Sequence, residues 1–223
     1  MKKLTALLLA IAMMVTCTLC AVAEDGKTYM AVCIASEPDT LDPALNSTVD
    51  GATMVAHLFA GLSTWAQTDD GKLEILPDCA VVNDDGTVTY TYTLVDGLKW
   101  SDGKDLTAKD FEFAWKRAAS SELGADYGYM FEVVKGYTAD GSDPKAENLA
   151  VTAVDDKTLT VTLNNPVAYW NELLAFPAYM PVREDVVANE AWATDPSTYI
   201  GNGPYTMTAW EHNSKITLTK NPY

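Results

Sequence analysis

Between Thr87 and Leu94 the chain alternates without a break: Val88, Tyr90, Tyr92 and Leu94 are apolar, and Thr87, Thr89, Thr91 and Thr93 stand between them. A period of two sends successive side chains to opposite faces, so this stretch predicts a half-buried strand with one hydroxyl-lined face. Asp84-Asp85-Gly86 ahead of it predicts a hairpin turn. Further along the period lengthens. Phe111, Ala114, Trp115 and Ala118 recur at helical spacing, which predicts an amphipathic helix from Thr107 to about Ser120.

The same signals place the other elements. Val151–Val154 and Leu159–Leu163 flank Asp155-Asp156-Lys157 as a second hairpin, with Leu159, Val161 and Leu163 on one face. Tyr205–Trp210 and Ile216–Lys220 form a last hairpin around Asn213-Ser214. Thr28–Ala35, carrying Tyr29, Met30, Val32, Cys33 and Ile34, predicts a largely buried strand, and Pro38 and Pro43 bracket an extended loop. Asp50–Phe59 is expected as a short helix with Gly61 as a left-handed C-cap. Asn165 and Pro166 are expected as cap and first position of another helix. Ala139–Pro144 is turn-rich and predicts a surface loop. Helices interspersed with antiparallel hairpins give an α+β (mixed α/β) fold.

The densest local signal is Leu98–Phe111, a strand end, a tight turn and a helix start in succession. Asp102-Gly103 is a turn dipeptide, because glycine accepts positive φ without a Cβ clash. Thr107 with Asp110 three residues on forms a capping box, and Asp110 puts negative charge at the positive end of the helix dipole.

The wording of this segment, Trp100-Ser101-Asp102-Gly103 followed by Thr107-Ala108 and Asp110-Phe111, closely resembles the extracellular solute-binding proteins of family 5, the oligopeptide/dipeptide/nickel class that serves ABC importers. Other collinear segments resemble the same family: Glu37-Pro38 with Leu41-Asp42-Pro43, Leu58-Phe59-Ala60-Gly61-Leu62, Pro77-Asp78-Cys79-Ala80, Gly201-Asn202-Gly203-Pro204-Tyr205 and Lys220-Asn221-Pro222-Tyr223. Cys79 departs from the aliphatic residue common at its position. The resemblance implies a periplasmic-binding-protein type II-like clamshell. Members are much longer, so the chain is expected to be an N-terminal portion with only the first lobe and its inserted small domain present. Residues 24–59 and 181–223 would form a discontinuous first domain, residues 60–180 the inserted smaller domain, and the second lobe would be absent.

Met1-Lys2-Lys3, the apolar run Leu4–Leu19 and the small residues Ala21-Val22-Ala23 predict a secretory signal peptide over residues 1–23. Release after Ala23 is favoured, because Leu19 and Thr16 are poor residues to precede a lipid-carrying Cys20 or Cys17; an anchor at either cysteine is the alternative. The protein is therefore expected outside the cytoplasmic membrane, periplasmic or on its extracellular face. Cys33 and Cys79 are the remaining cysteines and read as two small buried hydrophobes, with a disulfide as the less favoured alternative. The formal net charge of −16 argues against nucleic acid or an anionic membrane as partner.

The sequence contains no H-E-x-x-H or G-x-S-x-G motif. His57 and His212 stand alone, and Asp69-Asp70, Asp84-Asp85 and Asp155-Asp156 sit at predicted turns, where side-chain to backbone hydrogen bonds account for them. No catalytic residue, metal ligand or cofactor is assigned, and an enzyme is not expected.

The resemblance implies a peptide held extended between two lobes, partly through backbone pairing. The loop after Leu41-Asp42-Pro43 would contribute to that cleft through Asn46, Ser47, Thr48 and Val49. An equal alternative is that the small polar residues Asn46, Ser47 and Thr48 cap the helix starting near Asp50. The smaller domain would add one tyrosine, Tyr127 or Tyr129, and the acidic group for the ligand N-terminus would come from the second lobe. The implied function is the binding component of an ABC importer for oligopeptides, monomeric, closing about a hinge and docking on permease subunits. Within the family the alternative is nickel or another small solute. Outside it, six tryptophans admit a secreted carbohydrate-binding or adhesive module.

Overall fold

The computed structural model of the protein describes residues 28–84 and 88–223, with the side chains of 83 and 84 left aside. The expected signal peptide and the Asp85-Gly86 part of the first hairpin turn lie outside the described residues. The chain divides into two units at Ala35/Ser36.

The threonine-alternating segment becomes β4 (Thr89–Leu94), paired antiparallel with β3 (Ala80–Asp84). The second expected hairpin supplies β5 (Val151–Ala153) and β6 (Thr158–Thr162), and β6 also pairs with β4 to give a four-stranded sheet of order β3-β4-β6-β5. Tyr92 lies opposite Leu159 and Tyr90 opposite Val161, so the apolar positions share one face. Threonines line the other, where Thr89 and Thr162 meet through their hydroxyls at 3.1 Å.

Helix α1 (Val49–Leu58) and helix α2 (Ala108–Ala119) follow the expected periodicity. Packed beside β5 and β6, α2 buries Phe111, Ala114, Trp115 and Ala118. The Trp115 ring meets Tyr179 edge-on at 5.1 Å and Trp170 edge-on at 6.1 Å, and Phe131 stacks on Tyr179 at 4.3 Å. Such ring pairs contribute about 0.5–1.5 kcal/mol each beyond the area they bury. Their polar atoms are satisfied: Trp115 Nε1 donates to Tyr179 O (2.8 Å), Trp170 Nε1 to the Tyr92 hydroxyl (2.8 Å), and the Tyr179 hydroxyl to Met130 O (2.8 Å). Phe131 comes from a 3-10 turn at Gly128–Val133, Tyr179 from another at Pro177–Tyr179, and Trp170 from α3 (Trp170–Leu174).

A second apolar cluster surrounds α1. Leu41, Leu58, Phe59, Trp192 and Tyr199 are buried there, with Trp192 and Tyr199 stacked at 5.5 Å. The Gly201-Asn202-Gly203 segment closes the end of α1. Gly203 N–H donates to Leu58 O (2.9 Å), and Asn202 pairs its side-chain amide with both Ala60 N–H (3.1 Å) and Ala60 O (2.8 Å). A Cβ on Gly201 would lie 2.1 Å from Leu58 O, so only glycine permits this approach.

The Trp100–Lys104 turn is held from outside. Gly103 has φ +85°, and Asp102 Oδ1 accepts Lys104 N–H at 3.1 Å. Arg183, just ahead of α4 (Glu184–Val187), lies over the Trp100 ring and forms an ion pair with Asp102 at 2.8 Å. Asp110 accepts Thr107 N–H at 2.8 Å, which completes the expected capping box.

Two ribbons complete the structure: β1 (Ser63–Gln67) with β2 (Leu73–Pro77), and β7 (Tyr205–Glu211) with β8 (Lys215–Lys220). Among the described residues no helix is long and apolar enough to cross a membrane.

Four expectations are corrected. Thr28–Ala35 is irregular and exposed rather than a buried strand, because no strand among the described residues pairs with it and an apolar run forms a strand only against a ladder partner. Cys33 is accordingly exposed, whereas Cys79 is buried, and both are free thiols. Gly61 is not a left-handed cap; α1 ends in extended Phe59, and Gly61 is needed for space, since a Cβ there would sit 3.1 Å from Leu174 O. Asn165-Pro166 does not open a helix, which begins only at Trp170 behind Tyr169.

Candidate functional site

The loop after Leu41-Asp42-Pro43 folds back through Asp42. The Asp42 carbonyl accepts N–H groups from Leu45 (3.1 Å) and Asn46 (2.8 Å), and its carboxylate accepts Ala44 N–H (2.9 Å). Asn46 is buried and folds onto Thr48: its Nδ2 donates to Thr48 O at 3.2 Å, and its Oδ1 accepts the Thr48 hydroxyl at 3.2 Å. Gly51 makes room for it, since a Cβ there would fall 1.9 Å from Asn46 Oδ1. Thr48 is the N-cap of α1, taking Gly51 N–H on its hydroxyl at 3.3 Å.

The six candidate residues therefore separate by role. Asn46 and Thr48 build the turn and cap the helix. Leu45, Ser47 and Val49 alternate with them and face outward, Val49 being 85% exposed. No hydrogen bond to the Ser47 peptide group occurs among the described residues. Tyr127 and Tyr129 form a separate group, with rings 6.2 Å apart. Tyr127 is half-buried against Phe176 (4.9 Å, edge-on), while Tyr129 is 54% exposed and so presents the more open ring. No hydrogen bond or ring contact joins the two groups among the described residues.

Three anchors of this region carry no role in the sequence reading, where Glu37 and Asn202 stand only inside family-like motifs and Arg117 is absent. Arg117, on the last turn of α2, makes a two-point contact with the Asp42 carboxylate at 3.1 and 2.6 Å. Glu37 receives Trp210 Nε1 at 2.9 Å and Asn213 N–H at 2.5 Å and faces His212 Nδ1 at 2.5 Å; these contacts, led by His212, hold its carboxyl below the usual range. Asn202 holds Ala60 as described above. For Arg117 the signal is the scarcity of its residue type. The sequence has only two arginines, and each pairs with the aspartate of a family-like motif, Arg117 with Asp42 and Arg183 with Asp102.

Burial, with the Asp78 carboxylate nearby, pushes the Cys79 thiol far above its ordinary value and keeps it protonated. Asp155 accepts the Lys157 and Thr158 amides at 2.8 Å each, and Asp70 accepts the Thr68 hydroxyl at 2.6 Å, so both serve their turns. Among the described residues no group of three His, Cys, Asp or Glu side chains is placed to hold a metal ion. The tryptophans make no platform: Trp100, Trp115, Trp170 and Trp192 are buried, Trp210 is half-buried, and Trp65 stands exposed by itself.

The architecture is mixed α+β, with the capped α2 behind its Asp102-Gly103 turn and an outward loop ahead of α1. The family profile for bacterial extracellular solute-binding proteins, family 5 (middle region), matches residues 64–223, and the chain belongs to that family. It is 42% identical over 200 residues to the oligopeptide-binding protein OppA of Bacillus subtilis, a match covering 88% of this chain and 36% of that protein. The dipeptide-binding protein DppE of the same organism is 32% identical over 197 residues, covering 87% of this chain and 36% of the relative. The crystal structure of Haemophilus influenzae OppA in complex with the peptide RPPGFSPFR superposes with a TM-score of 0.77 at 32% identity, over 85% of this chain and 37% of the other. The chain thus spans little more than a third of the length of the relatives it matches.

Proposed function

We propose that this chain supplies the first part of an exported receptor that captures extracellular oligopeptides for an ABC importer. The ligand would lie between two lobes, bound by hinge closure without catalysis, and the closed monomer would dock on the membrane permease. Residues 24–59 and 181–223 would form the discontinuous first domain, with 60–180 as the inserted smaller one. The observation that carries the proposal is the loop at 45–49: an outward face of Leu45, Ser47 and Val49, with a Ser47 peptide group unbonded among the described residues, backed by Asn46 and Thr48. An open peptide group beside apolar contacts suits an extended peptide, since main-chain pairing gives affinity that tolerates varied side chains. Tyr129 would offer a second, aromatic contact. Secretion with either release after Ala23 or a lipid anchor places the receptor outside the membrane.

The test is calorimetric titration with a mixed tripeptide and tetrapeptide library. The 223-residue chain by itself is expected to show no saturable binding near micromolar affinity, because closure needs two lobes. A chimera in which this chain replaces the matching segment of Bacillus subtilis OppA is expected to bind peptides. Micromolar binding by the chain by itself, or a folded chimera that ignores peptides, would overturn the proposal.

A further inference from the structure

Asp42 is 2% exposed and the Arg117 side chain 15%, yet both are charged groups. Taking such a pair out of water is unfavourable unless the geometry is good and the remaining lone pairs are used. Both conditions are met. Arg117 Nη1 reaches Asp42 Oδ1 and Nη2 reaches Oδ2, a fork-to-fork contact, and Oδ1 also takes the Ala44 N–H. The residue before it is fixed as well, with the Tyr199 hydroxyl donating to Leu41 O at 2.9 Å and Leu41 N–H donating to Ala193 O at 3.3 Å. Asp42 then folds the turn through its own carbonyl, which holds the Leu45 and Asn46 amides. One residue thus locks onto α2 with its side chain and shapes the 44–49 loop with its main chain.

We infer that Asp42 and Arg117 are positioning residues for ligand capture: the pair fixes the 44–49 loop on α2 so that Leu45, Ser47 and Val49 stay aimed at the ligand. An apolar contact of the same volume would serve stability as well or better. A planar fork adds orientation, because only one arrangement satisfies both carboxylate oxygens. The inference rests on the role proposed above for this loop in peptide capture.

The experiment compares Asp42→Asn, Arg117→Gln, the double variant and Arg117→Lys. Hydrogen exchange is followed in the 223-residue chain, and peptide affinity in the OppA chimera. In each single neutral variant, the hydrogen-bonded amides within 44–52 (Ala44, Leu45, Asn46, Thr48, Gly51 and Ala52) are expected to exchange at least about tenfold faster while those of β4 and β6 keep their rates. Arg117→Lys should recover part of the protection, and the double variant, which strands no charge, should fall between wild type and the single variants. Peptide affinity of the chimera should drop at least about tenfold in Asp42→Asn, mainly through faster release. Unchanged exchange at 44–52, equal acceleration throughout the sheet, or undiminished affinity in a loosened loop would overturn the inference. A wild-type chimera that binds no peptide would remove the capture function itself, and the exchange pattern would then decide the positioning claim separately.

Discussion

Trp115 and Trp65 both stand in well-formed elements, but Trp115 is wholly buried and Trp65 is half exposed. Trp115 lies on the apolar stripe of α2, which packs beside β5 and β6 and meets Phe131, Trp170 and Tyr179. Trp65 lies on β1 opposite Ile75 of β2, and Leu73 on the same face is 65% exposed. Both regions follow the periodicity of their elements. The difference lies in whether a second layer arrives to cover the apolar face, because amphipathicity sets which face is apolar and a packing partner sets whether it leaves water.

The sharpest way to break this comparison is to truncate both rings. Trp115→Ala should cost about 3–5 kcal/mol of unfolding free energy, and Trp65→Ala no more than about 0.5 kcal/mol. Urea unfolding of the two variants measures the gap, and equal costs would show that the β1–β2 ribbon is packed as tightly as the α2 face. Next comes Gly201→Ala. Its new Cβ would collide with Leu58 O at 2.1 Å, so a loss of about 1–3 kcal/mol is expected, read as a lowered melting temperature.

Smaller effects belong to the helix caps. Thr48→Ala and Thr107→Ala should each cost about 1 kcal/mol by thermal unfolding. They differ in place: exchange at the start of α1 should rise only in Thr48→Ala, and at the start of α2 only in Thr107→Ala. The smallest effect concerns Glu37, whose carboxyl is held below its ordinary value by His212, Asn213 and Trp210. A depressed carboxyl stabilises the fold fully above its unfolded pKa of about 4.3, and that contribution is lost as pH falls through the lower folded value. The wild-type advantage in melting temperature over Glu37→Gln should therefore shrink between about pH 6 and about pH 3. A constant difference over that range would mean that the carboxylate charge contributes nothing there.

Much of the fold was legible because the relevant information is local. The Thr/Tyr alternation of β4, the stripe of α2, the Thr107–Asp110 capping box and the hairpins at Asp155–Lys157 and Asn213-Ser214 each depend on residues near one another in the chain. The errors fell where a distant partner decides. Gly61 reads as a cap by composition, but the end of α1 is closed by Gly203 and Asn202, far along the chain. At the candidate site, the family resemblance pointed to the loop of Asn46, Ser47, Thr48 and Val49, the first three of them small and polar. It could not separate the inward pair from the outward face, because that depends on Asp42 folding the turn and on the space left by Gly51.

By itself the sequence determined the family and the central elements β4, β5, β6, α1 and α2, since periodicity, turn chemistry and collinear motifs are written in short windows. Tertiary structure alone decided which apolar faces are covered, that Thr28–Ala35 lies exposed among the described residues, and that Arg117 reaches across to Asp42. Burial and ion pairing are properties of groups brought together from remote parts of the chain, and no short window of sequence contains both partners.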